Sequence, residues 1–136
     1  MKNLTTAIYG LLAGSTLTGL ISARLYEDEA PPGTEYPYVV YSVIGQYKEK
    51  TFTEEYNNFR VQFSIFSTNE DATEIQDIYQ AVEDLYDECA MTITGSRLLW
   101  MRLDNVTNVT EAGDNPDGTM TEKHVAVEFD VKTSLN

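Results

Sequence analysis

The chain has 136 residues, enough for one domain with its own core, and its 42% hydrophobic and 23% charged content is that of a globular protein rather than a disordered one. Nine Lys and Arg stand against 22 Asp and Glu, and the resulting net charge of −13 repels polyphosphate, which argues against sequence-specific nucleic-acid binding. The single cysteine, Cys89, allows no internal disulfide, and no apolar run approaches the roughly 20 residues that span a bilayer.

A single domain is expected over 1–136. Leu4, Ile8, Leu11 and Leu12 recur at helical spacing, predicting an amphipathic helix that ends near Gly14, with Leu17, Leu20 and Ile21 extending its apolar surface. Lys2 and the stretch 7–14 resemble a short signal peptide, but threonines interrupt it and no clear cleavage site follows, so secretion is not expected. A short strand is read near 24–29. Pro31, Pro32 and Gly33 then break regular structure, and Pro37 forces its neighbour Tyr36 into an extended conformation.

Residues 38–44 are rich in β-branched and aromatic residues and apolar on both faces, which predicts a covered strand ending near Gly45. Phe59, Val61, Phe63 and Ile65 alternate with Arg60, Gln62 and Ser64, the period of a strand with one face in the core. The connection 46–56 between these strands holds Tyr47, Phe52 and Tyr56 amid charges and reads either as a binding loop or as an extended hairpin.

Thr68 or Asn69 is expected to cap a helix whose apolar stripe is Ile75, Ile78, Val82, Leu85 and Cys89. Its other face carries Glu74, Asp77, Glu83, Asp84, Asp87 and Glu88 and reads as solvated. A strand over 97–109 follows, with Leu98, Trp100 and Arg102 assigned to one side and Leu99, Met101 and Leu103 to the other. The turn-rich run 111–118 separates it from a last strand in which Val125, Val127, Phe129 and Val131 alternate with polar residues. The fold class is therefore α+β: a mostly antiparallel or mixed sheet packed against an N-terminal helix and a central acidic amphipathic helix.

Chemistry is sparse. His124 is the only histidine, so a nucleophilic triad would have to use it, and one His with one Cys cannot make a zinc cluster. Asp114, Asp117 and Gly118 share part of a calcium-loop pattern whose closing Glu is missing, and a tight turn is the better reading. No phosphate-cradling glycine motif occurs. Neither a catalytic residue nor a metal or cofactor is expected, and Cys89 reads as a small core residue. What stands out is the aromatic supply of nine Tyr, five Phe and one Trp, a composition suited to protein interfaces.

From residue 8 onward the order of motifs resembles the tail-completion proteins of tailed phages, a group that includes tail terminators and tail-to-head joining proteins. The likeness rests on Leu11-Leu12 in the first helix and on Ala23-Arg24-Leu25-Tyr26 leading through Ala30-Pro31 to Tyr36-Pro37-Tyr38-Val39-Val40-Tyr41. It continues through the strand from Phe59 to Ser67 and the Asp77, Tyr79, Ala81, Val82, Leu85 pattern of the acidic helix. Tyr36 stands where the family commonly has Leu.

This resemblance implies a structural virion protein, not an enzyme, synthesised in the host cytoplasm. Such a subunit forms a hexameric ring on the head-proximal end of the tail tube, stops tube polymerisation, and meets the tail tube protein and a head-completion or connector protein. DNA passes through its lumen, and the surplus acid is expected to line that lumen. Interface contacts are assigned to Tyr47, Lys48, Phe52 and Tyr56 and to Asp114 and Asp117 of the second loop. A head-closure or stopper protein of the same particle is the nearest alternative, and a small ligand-binding or enzymatic domain is the alternative from another class.

Overall fold

A computed structural model describes residues 2–68, 72–111 and 122–135. Its elements are α1 (Lys2–Gly10), α2 (Thr16–Ile21), β1 (Leu25–Glu27), β2 (Tyr38–Lys50), β3 (Glu55–Ser67), α3 (Thr73–Tyr86), β4 (Thr92–Ile93), β5 (Ser96–Glu111) and β6 (Glu122–Ser134). The strands form one six-stranded sheet in the order β1-β2-β3-β6-β5-β4. β1 runs parallel to β2 and every other pairing is antiparallel, so the sheet is mixed, as the sequence predicts.

The period-two pattern decides which face is covered. Phe59, Val61, Phe63 and Ile65 of β3 lie opposite Val131, Phe129, Val127 and Val125 of β6, and all are buried beneath the helices. Val39 and Tyr41 of β2 and Met101 of β5 extend this face on either side. Each such side chain stabilises the fold by about 1.5–3 kcal/mol through loss of water contact. Arg60, Gln62, Ser64 and Phe66 point to the opposite face, which no described helix covers.

The N-terminal helix is shorter than expected and is followed by a second one. α1 ends at Gly10, the chain turns through Gly14 at φ +74°, and Ser15 caps α2 by accepting the Thr18 N–H at 3.3 Å. The bend lets Leu4 and Ile8 of one helix and Leu17 and Ile21 of the other reach the same core. The segment that resembles a signal peptide thus contributes to the interior.

α3 begins at Thr73 with Ala72 in the cap position and no side-chain cap, so Thr68 does not fill that role, and Asn69 lies outside the described residues. Ile75, Ile78, Val82 and Tyr86 form the buried stripe, with Tyr86 rather than Leu85 in the last place. The Tyr86 hydroxyl donates to the Ile8 carbonyl at 2.8 Å and the Tyr41 hydroxyl to that of Thr5 at 3.3 Å, tying α1 to α3 and the sheet. Burial pushes the Tyr86 phenol well above its usual range and the Tyr41 phenol up to about 12.

Asp87 and Glu88 lie past the end of the helix and are not a solvated helical face. Asp87 Oδ1 accepts the Leu103 N–H at 2.8 Å, the Glu88 N–H donates to the Met101 carbonyl at 2.7 Å, and the Glu88 carboxylate meets Arg102 Nε at 3.2 Å. Cys89 also falls beyond α3, with its sulfur 3.9 Å from that of Met101.

Two bulges in β5 correct the reading of its faces. The register jumps from Leu98 to Trp100, which moves Leu98 to the core side with Met101 and Leu103 and leaves Trp100 and Arg102 on the other. A second jump falls between Leu103 and Asn105. β4, two residues joined to β5 by a turn through Gly95 at φ +84°, was not anticipated, because two residues carry no periodicity.

Candidate functional site

The uncovered sheet face and the hairpin that prolongs it hold most of the chain's unusual side chains. β2 does not end at Gly45 but runs to Lys50, pairing with 55–60 of β3. The stretch 46–56 is thus an extended hairpin closed by a tight turn, in which the Thr51 N–H donates to the Glu54 carbonyl at 2.8 Å and Thr51 Oγ1 accepts the Glu54 N–H at 3.0 Å. From Ile44 to Glu54 every residue is exposed, so the hairpin projects past the core.

Four of the predicted interface residues lie on this hairpin. Phe52 occupies the turn and is fully solvent-exposed, and Tyr47 of β2 is 63% exposed. Lys48 and Lys50 approach one carboxylate, Glu55, at 3.8 and 3.9 Å. The Tyr56 ring lies 4.7 Å beneath Lys132 Nζ. Asp114 and Asp117 lie outside the described residues.

Tyr47 also lines a groove of about 470 Å³, whose walls include Asn58, Arg60, Trp100 and Asp130. Arg60 is its electrostatic centre: Nη1 donates to Asp130 at 2.8 Å, and Nη2 donates to Asp104 at 2.5 Å and Glu128 at 3.3 Å. Beside it Lys132 stands between Tyr56 and Trp100, and Arg102 lies 4.6 Å over the Trp100 ring. Sequence reasoning missed this assembly of Arg60, Trp100, Arg102 and Lys132. Its signal was the polar half of the alternation in β3 and β6, obscured in β5 by the bulges.

Hydrogen bonds from Asn105 and then Arg60 hold the Glu128 carboxyl below its usual range. A depressed folded-state pKa stabilises the protein above the ordinary Glu value of about 4.3 and loses that contribution as pH falls through the folded value. Arg60→Met is expected to raise the Glu128 pKa in a carbon-detected NMR titration and to diminish the extra loss of stability on acidification. At this partly exposed position the effect at neutral pH is about 1 kcal/mol or less.

The other end of the open face is aromatic. Tyr38 stacks on Phe66 at 4.9 Å, Phe66 on His124 at 4.4 Å, and Tyr36 leans on Tyr38 at 5.3 Å. The Tyr36 hydroxyl donates to Glu122 Oε2 at 2.5 Å, chiefly for which reason its phenol titrates far above the usual range. His124 is a stacked ring whose Nε2 is buried with no hydrogen-bond partner among the described residues. No group of three His, Cys, Asp or Glu among the described residues could hold a metal ion, and no described helix is long and apolar enough to cross a membrane.

Cys89 is half-buried beside Met101, and burial pushes its thiol up to about 11. Alkylation at neutral pH is therefore expected to run about a hundredfold slower than for an unstructured peptide thiol near its ordinary pKa of about 8.5, and unfolding in urea should abolish the difference.

A face built of rings, paired charges and a projecting aromatic hairpin is suited to protein contact. The sequence matches the family described as tail completion protein gp17 over residues 6–134. The chain belongs to the tail-completion protein family. The resemblance carried by the motif order is thereby borne out, and with it a structural role in tail completion.

Among solved structures, a chain from the virion of a native gene transfer agent particle shares the fold of this tail-completion protein. The TM-score is 0.78 at 16% identity, over 96% of this chain and 94% of that one. A second solved chain, of no stated function, aligns with a TM-score of 0.51 at 12% identity over the same shares, 96% and 94%. No curated protein sequence matches the chain.

Proposed function

We propose that this tail-completion protein, acting as one domain, caps the head-proximal end of the tail tube as a homohexameric ring. The ring terminates tube polymerisation and joins tail to head. The observation that carries this reading is the hairpin that extends β2 and β3 past the core and presents Tyr47 and Phe52 to solvent. A monomer gains nothing from displaying such side chains, whereas an assembling subunit needs a contact that lies outside its own core.

The hairpin, with Tyr47, Lys48, Phe52 and Tyr56, and the segment carrying Asp114 and Asp117 contact the tube protein or neighbouring subunits. The net charge of −13 keeps the passing DNA from adhering to the lumen wall. Synthesis takes place in the host cytoplasm, without metal or cofactor.

Imaging of particles made without the gene tests this function. Overlong, unattached tubes beside filled heads are expected. Free tails of normal length would instead assign the protein to head closure or joining alone, and intact virions would remove it from tail completion.

A further inference from the structure

The two outer edges of the sheet remain largely unpaired, and they differ from one another in charge. β1 covers β2 only at Val39, Val40 and Tyr41, so among the described residues no strand pairs with the outer edge of 42–50. On the far side, β4 covers Ser96 and Arg97 of β5, and Asp87 and Glu88 satisfy the backbone at Leu103 and Met101. From Asn105 to Glu111 the outer edge of β5 has no strand partner among the described residues.

Hydrogen-bond alternation shows which groups these edges offer. The Thr51–Glu54 bond faces inward, so Lys50, Lys48 and Gln46 turn their N–H and C=O groups outward. On β5, Leu103 faces outward to Asp87, and the bulge after it leaves Val106, Asn108 and Thr110 facing outward in turn. Such edges invite another strand unless they are blocked, and no proline interrupts either stretch.

We propose that β2 of one copy pairs antiparallel with β5 of the next, Gln46 opposite Asn108 and Lys48 opposite Val106, so that one sheet continues from subunit to subunit. The inference rests on the ring reading above and specifies its interface. The register matches outward residues to outward residues and places Lys48 and Gln46 on the same sheet face as Val106 and Asn108. It also brings Lys50 level with Asp104 along the shared edge. Tyr47 on the open face and Val106 on the helix side, 63% and 40% exposed, lie along these two edges, so each face gains an apolar contact at the seam.

The geometry also permits closure. Through the ladders, Gln46 is level with Val131 of β6 and Asn108 with Val125, an offset of roughly 20 Å at about 3.3 Å per residue. The path from β2 through β3, β6 and β5 to the next β2 crosses about 19 Å at strand spacings of about 4.8 Å. A rotation-only ring absorbs that offset when the strands tilt by roughly 45°, the upper end of the range found where sheets close on themselves.

The test uses the full chain and measures its mass by light scattering across a concentration series. Lys48→Pro and Asn108→Pro each remove one outward N–H and leave the inward ladder intact, so circular dichroism should report a folded protein. Both variants are expected to assemble at least tenfold more weakly than the native chain. In a Cys89→Ala background, Gln46→Cys with Asn108→Cys should give covalent oligomers on oxidation, since directly opposed residues approach within disulfide reach. Rings that form as readily in both proline variants, or a cysteine pair that never cross-links within intact rings, would reject the edge pairing and leave the ring standing. A native chain that stays monomeric at every concentration would overturn the ring reading together with this interface.

Discussion

Phe63→Ala is expected to destabilise the protein by about 3–5 kcal/mol, read as a lowered urea midpoint with the slope of the transition unchanged. Phe63 is fully buried at the centre of β3, stacked on Tyr86 at 4.6 Å and edge-on to Phe129 at 5.5 Å, with Tyr41 at 6.1 Å. Truncation removes the transfer free energy of the ring and leaves a cavity whose walls belong to three different elements, α3, β2 and β6. Those elements are anchored elsewhere, by the Tyr86 and Tyr41 hydroxyls on the carbonyls of α1, so they cannot all collapse into the space. Phe63→Leu keeps most of the apolar volume and should cost clearly less. A loss under about 1 kcal/mol for the alanine variant would show that the helical layer is not held in this way.

The same residues show how much of the fold was legible in sequence. β3 and β6 alternate without interruption, and an alternation whose every apolar member enters one core can be read from residue types alone. β5 contains the same kinds of residue, but each bulge reverses the sides of everything beyond it, and nothing in Leu98-Leu99-Trp100 marks where the extra residue sits. The end of α3 was misplaced for a related reason. Helical spacing continues through Leu85 to Cys89, while the actual stop at Tyr86 depends on Asp87 and Glu88 finding backbone partners on a strand that comes later in the chain.

The open face was legible only in part. Tyr47, Lys48, Phe52 and Tyr56 could be singled out because they cluster in sequence, and the structure keeps them on one hairpin. Arg60, Trp100, Arg102 and Lys132 come from three strands, and only the register sets Arg60 opposite Asp130, Arg102 opposite Asp130 and Trp100 opposite Lys132. A cluster assembled by strand pairing has no local signature. Its residues look in sequence like the ordinary polar half of an amphipathic strand.

Replacing both exposed rings of the hairpin, Tyr47→Ser with Phe52→Ser, is expected to leave stability within about 0.5 kcal/mol of the native value while abolishing most tail joining. The stability half follows from exposure: at 63% and 108% exposed, neither side chain contributes an appreciable buried surface to the isolated subunit. The turn itself is held by Thr51 and the Glu54 backbone rather than by the ring of Phe52. The functional half follows from the assignment of the hairpin as a contact, where aromatic side chains commonly supply most of the binding free energy and truncating one costs about 2 kcal/mol or more. Two such losses weaken a contact by roughly a thousandfold, enough to change the count of joined particles in images of a complemented deletion strain. Normal particle counts with this variant would detach the hairpin from assembly, and a large fall in the unfolding midpoint would mean that the rings serve the fold instead.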